Sequence, residues 1–374
     1  MNEPKQTILK KLLRKPSAAI SIGIIVLTCL VAIFAYALAP DNTPYANRMI
    51  LEFGARKPGF TKQMLQVPKN RTSAPTTLLS GWASGTPNDF QLVPMNGYSF
   101  RADTLLVQHY IDESMTDTLS YPIRSLVPEQ LRQAALPIQQ TYIRDYAIQT
   151  RTFYLGTDRY GRDILSRLLV GTRVSIAVGL VAVLLSLSIG ILLGALAGYF
   201  GGWIDNAVMW FINILWAIPT LLLVFAITLT IGKGFWEIFV AIGLTMWVSA
   251  ARLIRGQVLV LREMEYVTAA KALGLSDRRI IFRHIIPNIA GPLMVIAASN
   301  FAAAILIEAG LSFLGIGVQP PQPSWGLMIK EHYNFLLTNR PLLALIPGIA
   351  IMLLVYAFNI LGNALRDVLD VREQ

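Results

Sequence analysis

Apolar residues follow one another in long runs over much of this 374-residue chain. A helix needs about 20 such residues to cross the roughly 30 Å hydrocarbon core of a membrane. Two runs meet this requirement clearly, and four others meet it with an occasional polar residue. The six predicted spans are residues 17–39, 174–199, 206–231, 235–251, 289–315 and 341–363.

Composition agrees with this pattern, because 54% of the residues are hydrophobic and only 14% are charged, against about 25% charged in soluble domains. We therefore predict an all-α polytopic membrane protein with six transmembrane helices. A cleaved signal peptide is an alternative for the first span, since Lys10 and Lys11 precede it and Ala37-Leu38-Ala39 resembles a cleavage site. A retained anchor is favoured, because the run exceeds the usual 7–15 apolar residues of a signal.

Lysine and arginine predict the orientation, since they are enriched in short cytoplasmic segments. Residues 1–16 carry five of them and residues 252–283 carry seven. Six spans place both segments on one side, so we predict cytoplasmic N- and C-termini. Four arginines before the second span then lie outside, an exception that long translocated regions tolerate. These are Arg159, Arg162, Arg167 and Arg173.

Residues 40–172 differ from the rest of the chain, since they are rich in turn residues and have only short apolar patches. They predict a small extracytoplasmic insertion of mixed α+β structure. The predicted divisions are residues 1–40 (N-terminus and first span), 41–154 (insertion) and 155–374 (core with five spans and a cytoplasmic loop at 252–288).

No metal site is predicted, because Cys29 is the only cysteine and the three histidines, His109, His284 and His332, are far apart in sequence. The net charge of +10 is explained by anionic lipid and an acidic partner surface, without nucleic acid. No phosphate-binding loop, HExxH or GxSxG motif occurs in the sequence. The chain therefore offers no catalytic residues of these classes.

The 265–288 segment, EYVTAAKALGLSDRRIIFRHIIPN, is basic and helical in pattern. Tyr266, Ala269, Ala270 and Leu273 recur at the spacing of one helical stripe. Gly274 is typical of the left-handed residue that ends a helix. Because alanine offers little apolar area to bury in lipid, this stripe favours close approach by a protein.

A second short helix is predicted after Gly274, with Ser276 as its cap and Pro287 at its end. Three isoleucines form its apolar stripe, and three arginines point away from that stripe. The isoleucines are Ile280, Ile281 and Ile285, and the arginines are Arg278, Arg279 and Arg283. An amphipathic helix pair that rests on the lipid surface is the alternative interpretation.

The pattern Ala269-Ala270, Gly274 and His284-Ile285-Ile286-Pro287 resembles the EAA loop of ABC-importer permeases of the dipeptide/oligopeptide/nickel family. In that family the loop contains a coupling helix that sits in a cleft of a cytoplasmic ATPase. Thr268 stands where the family often has glutamate.

Three other stretches resemble motifs of the same family in the expected order. They are LGTDRYGRDILSRLLVGTRVSI (155–176), WVSAARLIRGQVL (247–259) and EAGLSFLGIGVQPPQPSWG (308–326). The resemblance covers about residues 155–370. The connection between the first two spans is longer than in most relatives, which weakens inferences about substrate.

The resemblance implies roles for two sets of residues. The ATPase-coupling set is Tyr266, Ala269, Ala270, Gly274, Arg283, His284 and Pro287. The extracytoplasmic motif set is Gly156, Thr157, Asp158, Gly161, Arg162, Asp163 and Arg167. In the second set, Asp158, Arg162, Asp163 and Arg167 have the spacing of exposed ion pairs along one helix, which contribute only about 0.2–0.5 kcal/mol each.

The resemblance also implies a permease subunit of an ATP-driven importer for peptides or similarly sized solutes, in a bacterial inner membrane. Its implied partners are a second homologous permease in a heterodimer, two ABC ATPase subunits, an extracytoplasmic solute-binding protein and membrane lipid. No cofactor is expected on this chain, because ATP and Mg belong to the partner ATPase. A nickel or oligosaccharide importer subunit remains open within the family. Outside it, the alternatives are an ion-gradient-driven transporter, a channel, or a membrane-anchored interaction protein.

Three residues in the predicted spans and loops are pathway or gate candidates: Pro219, Glu308 and Trp325. Pro219 is expected to kink the third span or line a cavity. Glu308 is expected to face protein or water, with a structural hydrogen bond near Ser312 or Trp325 favoured over substrate contact. Gly190, Gly194 and Gly198 repeat every four residues, which predicts close helix packing.

Overall fold

The computed structural model describes residues 8–69, 77–87, 89–232, 234–338 and 340–370. The chain divides into two compact units. The helical unit comprises residues 1–33, 171–333 and 344–374. The sheet unit comprises residues 34–170 and 334–343.

The helices are long in the helical unit and short in the sheet unit. In chain order they are α1 (Ile8–Leu13), α2 (Pro16–Ile33), α3 (Ala35–Leu38), α4 (Leu78–Ser84), α5 (Ile123–Leu126), α6 (Leu136–Tyr142), α7 (Ile164–Phe200), α8 (Gly202–Trp216), α9 (Thr220–Ile231), α10 (Phe235–Leu261), α11 (Glu265–Ala272), α12 (Asp277–Ile280), α13 (Ala290–Phe313), α14 (Trp325–His332) and α15 (Leu342–Asp370). Short π or 3-10 turns occur at Ile143–Ala147, Ile281–Ile285 and Ile286–Ile289, among other places.

Within the described residues, five helices are long and apolar enough to cross a membrane, and a bent helix pair provides a sixth crossing if it forms one span. The five are Pro16–Ile33, Ile164–Phe200, Phe235–Leu261, Asp277–Phe313 and Leu342–Leu369. The bent pair consists of α8 and α9. The prediction of a helical, polytopic membrane protein is confirmed.

The predicted third span is broken instead of continuous, because α8 and α9 meet at an angle of 93°. Pro219 immediately precedes α9, with an extended ψ of 125° that does not continue the helix. Proline lacks the N–H that would bond to the previous turn, and its ring clashes with that turn. The kink expected at Pro219 is therefore present.

Several helix ends differ from the ends of the apolar runs. α7 begins at Ile164, before the predicted 174, and α10 continues to Leu261, beyond the predicted 251. Helical hydrogen bonds do not require apolar side chains, so a helix extends past the edge of its apolar run. α2 ends early, at Ile33, where Arg173 of α7 donates from Nε to the carbonyl oxygen of Ala32 at 2.7 Å. That bond satisfies one of the carbonyls left open at a helix end.

The core of the helical unit lies between α7, α9, α10 and α13, around Val178, Phe239 and Ile242. Two of these helices touch at their backbones along a row of glycines. A Cβ atom added at Gly190 would lie 2.7 Å from Cβ of Ala250, and one at Gly198 would lie 2.8 Å from the carbonyl oxygen of Arg255. Only glycine permits this approach of α7 to α10, as the glycine repeat predicts.

Among its described residues, the sheet unit contains an antiparallel sheet of five strands in the order β4-β3-β2-β1-β5. The strands are β1 (Phe60–Pro68), β2 (Phe90–Arg101), β3 (Thr104–Tyr110), β4 (Thr116–Pro122) and β5 (Ile148–Phe153). Neighbouring side chains of a strand point to opposite faces. Accordingly Leu65 packs in one cluster with Ile123 of α5, and Met64 packs in another with Phe53. The α+β structure predicted for the insertion is confirmed.

Candidate functional site

The end of α11 has the hydrogen bonds of a Schellman motif. Gly274 has a left-handed φ of +75°. Its N–H donates to the carbonyl of Lys271 at 2.9 Å, and the N–H of Leu275 donates to that of Ala270 at 3.2 Å. This pattern closes a helix at glycine because other residues are strained at positive φ. The predicted hinge at Gly274 is present.

The face of α11 that packs on the chain differs from the predicted stripe. Val267 and Ala270 are buried, in one cluster with Ile254 of α10. Tyr266 and Leu273 are 41% and 82% exposed, and Ala269 is exposed too. Valine supplies the apolar area that alanine lacks, so the inner face is centred on Val267. Most of the predicted stripe instead faces outward.

The second stripe is buried as predicted: Ile280, Ile281 and Ile285 lie in the same cluster as Val267. Arg278, Arg279 and Arg283 are exposed. Ser276 occupies the cap position of α12, but its side chain makes no capping hydrogen bond.

Pro287 does not end this helix, contrary to prediction. It lies in the first turn of the 3-10 segment Ile286–Ile289, where a missing N–H costs nothing. The chain then runs into α13, so that Asp277–Phe313 forms one long helical stretch. The 265–288 segment is therefore joined directly to a membrane-spanning helix.

One polar contact joins the 265–288 segment to α7, a second lies within the segment, and a third joins two neighbouring helices. The Tyr199 hydroxyl donates to Oδ1 of Asp277 at 2.6 Å. The Asn288 side-chain amide donates to the Tyr266 hydroxyl at 3.2 Å. Arg255 of α10 makes a two-bond ion pair with Asp205 of α8. The sequence does not predict these pairings, because the partners are distant in sequence and no local pattern joins them.

The outer surface of the 265–288 segment combines exposed apolar and basic side chains. Phe282 is 61% exposed and Leu273 is 82% exposed. Phe282 lines a cleft of about 520 Å³, together with Ser276, Arg278, Arg279, Arg283 and Pro287. Exposed apolar groups with a polar rim mark an interaction surface. The basic rim favours an acidic partner.

The second predicted site, residues 156–167, is not an exposed helix. Asp158 and Arg162 are 0% and 2% exposed, and Asp163 and Arg167 are 5% and 0% exposed. Residues 157–163 form a turn, and α7 begins only at Ile164. The expectation of weak, solvent-exposed ion pairs is therefore wrong for this segment.

Asp158 organises this turn. Its Oδ1 accepts from the N–H groups of Tyr160 and Arg162 at 2.8 and 2.9 Å, and its Oδ2 accepts from Nε of Arg162 at 2.5 Å. Aspartate commonly closes turns in this way. Gly161 has a φ of +72°, and a Cβ there would overlap the carbonyl of Ile50. The segment therefore needs both the aspartate and the glycine to form.

Gly156 and Thr157 belong to the same turn. Gly156 has a φ of +79°, and the Thr157 hydroxyl donates to the carbonyl oxygen of Phe53. The Thr157 oxygen also accepts from the N–H of Arg56 at 2.8 Å. The residues of this motif are thus used in contacts inside the sheet unit.

A cavity of about 240 Å³ lies inside the helical unit next to the bend at Pro219. Trp216 and Thr220, on either side of the bend, both line it. Its other lining residues are Leu215, Leu223, Thr245, Met246, Val248, Ser249, Asn300, Ala303 and Ile307. Small hydroxyl groups and an amide among apolar walls suit passage of a polar solute.

Glu308 and Trp325 are buried within the helical unit. Glu308 is 1% exposed, and its Oε1 accepts from the Ser312 hydroxyl at 2.6 Å. Trp325 is 4% exposed, and its ring lies against Gly171, where an added Cβ would be 3.2 Å from Cδ1. Neither residue lines the cavity beside Pro219. The hydrogen bond expected between Glu308 and Ser312 is present.

Comparison with known proteins gives consistent similarities. Residues 190–373 match the family described as "Binding-protein-dependent transport system inner membrane component". The glutathione transport system permease protein GsiD of Pectobacterium atrosepticum is 42% identical over 58% of this chain and 72% of its own length. The dipeptide transport system permease protein DppC of Alkalihalophilus pseudofirmus is 43% identical over 58% and 71%. The inward-facing MetNI methionine ABC transporter covers 54% of this chain and 96% of its own, at 19% identity and a TM-score of 0.45.

Proposed function

Because this chain belongs to the family of binding-protein-dependent transport system inner membrane components, we propose that it forms half of the pathway of an ATP-driven peptide importer. A second, homologous permease forms the other half. Two ABC ATPases bind this pair on the cytoplasmic side, and a solute-binding protein delivers the solute from outside. Relatives named for glutathione and dipeptide transport support peptides as the substrate class.

The observation that carries this proposal is the two-faced 265–288 segment. Its inner face packs through Val267 and Ile280 against the helical unit. Its outer face leaves Leu273 and Phe282 in the open. A helix pair that only lay on the lipid surface would not need to pack Val267 and Ile280 against the other helices. Motion of a bound ATPase would instead pass through the inner face to α10 and α13.

The partner ATPase holds ATP and Mg, so the conformational change that ATP hydrolysis drives reaches this chain through the 265–288 segment. The ATPase binds this segment through apolar contacts with its exposed hydrophobic side chains and through charge pairs with its basic rim. The cavity beside Pro219 provides the solute passage. The bend between α8 and α9 is the element that changes angle to open or close it.

The decisive experiment is purification in mild detergent with the co-expressed partner permease and ATPases, followed by peptide uptake into liposomes. We expect the Leu273→Ser variant to lose ATPase association by about 30-fold, as for an interface residue worth about 2 kcal/mol. Leu79→Ser is the matched control, because Leu79 is 78% exposed in the sheet unit. Equal association of both variants would remove the 265–288 segment as the docking surface.

Uptake by the purified chain alone, driven by an ion gradient and without an ATPase, would support a secondary transporter or channel. Substrate class is tested separately, by mass spectrometry of the ligand that the binding protein takes from cell extract. A nickel chelate or an oligosaccharide there would replace peptide in the proposal.

The proposal includes cytoplasmic termini in a bacterial inner membrane and an extracytoplasmic sheet unit. This orientation requires α8 and α9 to form one crossing together. An impermeant thiol reagent tests it after Cys29 is replaced by serine. We expect Asp117→Cys in β4 to be labelled in spheroplasts, and Thr268→Cys in α11 only after lysis. The reverse labelling would overturn the orientation.

A further inference from the structure

The sheet unit contains a pocket of about 300 Å³ that the proposed transport mechanism does not use. Three segments supply its walls: the stretch after α3, strand β5 and the turn before α7. The lining residues are Pro40, Asp41, Arg48, Ile50, Thr150, Arg151, Thr152, Phe153, Tyr154 and Asp163. Two carboxylates and two guanidinium groups thus meet in one small space.

Only one of the two carboxylates is fully used by the protein. Oδ1 of Asp41 accepts from the N–H and hydroxyl of Thr43 at 3.2 and 2.8 Å, and its Oδ2 accepts from the N–H of Arg48 at 3.1 Å. Oδ2 of Asp163 accepts from the N–H and hydroxyl of Ser166. Oδ1 of Asp163 is buried and has no hydrogen-bond partner among the described residues.

Arg48 also keeps an unused hydrogen-bond donor, and Arg151 lies in the same pocket. Nε of Arg48 is buried without a hydrogen-bond partner in the described part of the chain, and it lies 3.8 Å from Oδ1 of Asp41, beyond hydrogen-bond distance. Burial lowers the pKa of Arg48, and burial likewise lowers the pKa of Arg151 despite the nearby charges of Asp41 and Asp163. Because arginine stays protonated in proteins, its buried donors need acceptors.

Asp163 is in a similar position with the opposite charge. Burial raises its pKa, and the hydrogen bonds from Ser166 and the charge of Arg151 only partly oppose this effect. A buried polar atom without a partner costs about 1–3 kcal/mol. A ligand that brought a donor to Asp163 and an acceptor to Arg48 would remove this cost at two groups, and Arg151 would add a second positive charge beside the acceptor.

We propose that this pocket binds a small zwitterion, with its ammonium group on Oδ1 of Asp163 and its carboxylate on Arg48 and Arg151. Ionised donors and acceptors form the stronger hydrogen bonds, and arginine suits carboxylates by geometry. The volume lies at the low end of the 300–1,000 Å³ typical of ligand pockets. The site therefore fits a free amino acid or a very short peptide. Ile50 and Phe153 supply apolar walls for its carbon atoms.

Calorimetric titration of the detergent-purified full-length chain alone tests this site. The probes are glycine, glycylglycine, N-acetylglycine and glycinamide, so that each single charge is tested apart from the pair. We expect a zwitterion to bind at least tenfold more tightly than either single-charge analogue. The comparison of glycine with glycylglycine distinguishes an amino acid from a peptide. Equal binding of N-acetylglycine, or no binding of either zwitterion at millimolar concentration, would overturn the proposal.

Variants then locate the binding. Arg151→Gln should weaken binding of the preferred zwitterion at least tenfold, and Arg151→Lys should weaken it less, since lysine keeps the charge but loses the two-bond geometry. Arg101→Gln, at an exposed arginine of β2 in the same unit, should bind like the unmodified chain. Unchanged binding by Arg151→Gln would place the ligand elsewhere. No ATPase or binding protein is present, so the result is independent of the proposed transport function.

Discussion

The 157–163 turn and the 265–288 segment both carry several charges at short spacing, but the fold uses these charges in opposite ways. In the turn, Asp158 and Arg162 are almost completely buried and bonded to each other. In the 265–288 segment, Arg278, Arg279 and Arg283 are exposed. The first set stabilises the chain internally, and the second set is available to a partner.

The turn and the 265–288 segment differ in their positive-φ glycines and in the helices that flank them. The turn has two positive-φ glycines, Gly156 and Gly161, so it folds back and encloses its own charges. The 265–288 segment has one, at Gly274, between two helices whose apolar residues face inward. Charged motifs with similar spacing therefore need opposite experimental interpretations. Loss of expression is expected from the turn, and loss of partner binding is expected from the segment.

The largest effect is expected for Arg162→Ala, which leaves Asp158 buried without its ion-pair partner. Removal of one member of a buried pair costs about 3–5 kcal/mol. Arg159→Ala is the control, because Arg159 is exposed in the same turn and should change stability by less than about 0.5 kcal/mol. Thermal unfolding of the purified chain measures both. Similar melting temperatures for the two variants would contradict the internal role of the turn.

A smaller effect is expected for Gly274→Val. An added Cβ meets no atom within 4 Å at this position, so the cost comes from the left-handed backbone alone, about 1–2 kcal/mol. We expect normal membrane insertion but weaker ATPase binding, or ATP hydrolysis without uptake. Gly256→Val is the matched control, since Gly256 also has open space but lies within helix α10. If both variants transport normally, the hinge does not matter for coupling.

The exposed arginines of the 265–288 segment should affect binding of the ATPase but not the stability of the chain. The double variant Arg278→Gln and Arg279→Gln should change chain stability by less than about 0.5 kcal/mol. Its association with the ATPase should become weaker and less dependent on salt, because screened charge pairs are lost. Arg124→Gln with Arg144→Gln, at exposed positions of the sheet unit, is the control. An unaltered salt dependence in the first variant would rule out an electrostatic contribution from the basic rim.

The smallest effect is expected for Ser276→Ala, since Ser276 makes no capping hydrogen bond in α12. Its change in stability should remain below the roughly 0.5–2 kcal/mol that a bonded cap contributes. Ser324→Ala provides the contrast, because the Ser324 hydroxyl accepts from the N–H of Leu327 at 3.0 Å. Denaturant titration compares the two. A larger loss at Ser276 would indicate a cap that forms outside this conformation.

The sequence was sufficient for features that depend on neighbouring residues. Apolar runs predicted the spans, Gly274 predicted a hinge, and Pro219 predicted a kink, since each rests on local backbone chemistry. The burial of Asp158 could not be predicted in the same way, because its turn is bonded to residues about a hundred positions earlier, such as Ala55, whose N–H donates to the Asp158 carbonyl oxygen at 2.7 Å. The inner face of α11 was missed for a similar reason. Its burial is decided by α10 and not by the stripe that contains Tyr266 and Leu273.

The glycine row of α7 has a mechanical consequence for any movement of the helical unit. Gly190, Gly194 and Gly198 bring the α7 backbone against Ala250, Ala251 and Arg255 of α10. If one helix slid along the other, atoms of α10 would leave the space beside these glycines and clash with the larger side chains of α7. We therefore expect α7 and α10 to move together as one rigid body, so that a displacement at one end of the pair is transmitted along its whole length. A rotation of the neighbouring helices would then occur at a hinge, and the 93° bend at Pro219 between α8 and α9 is suited to that role.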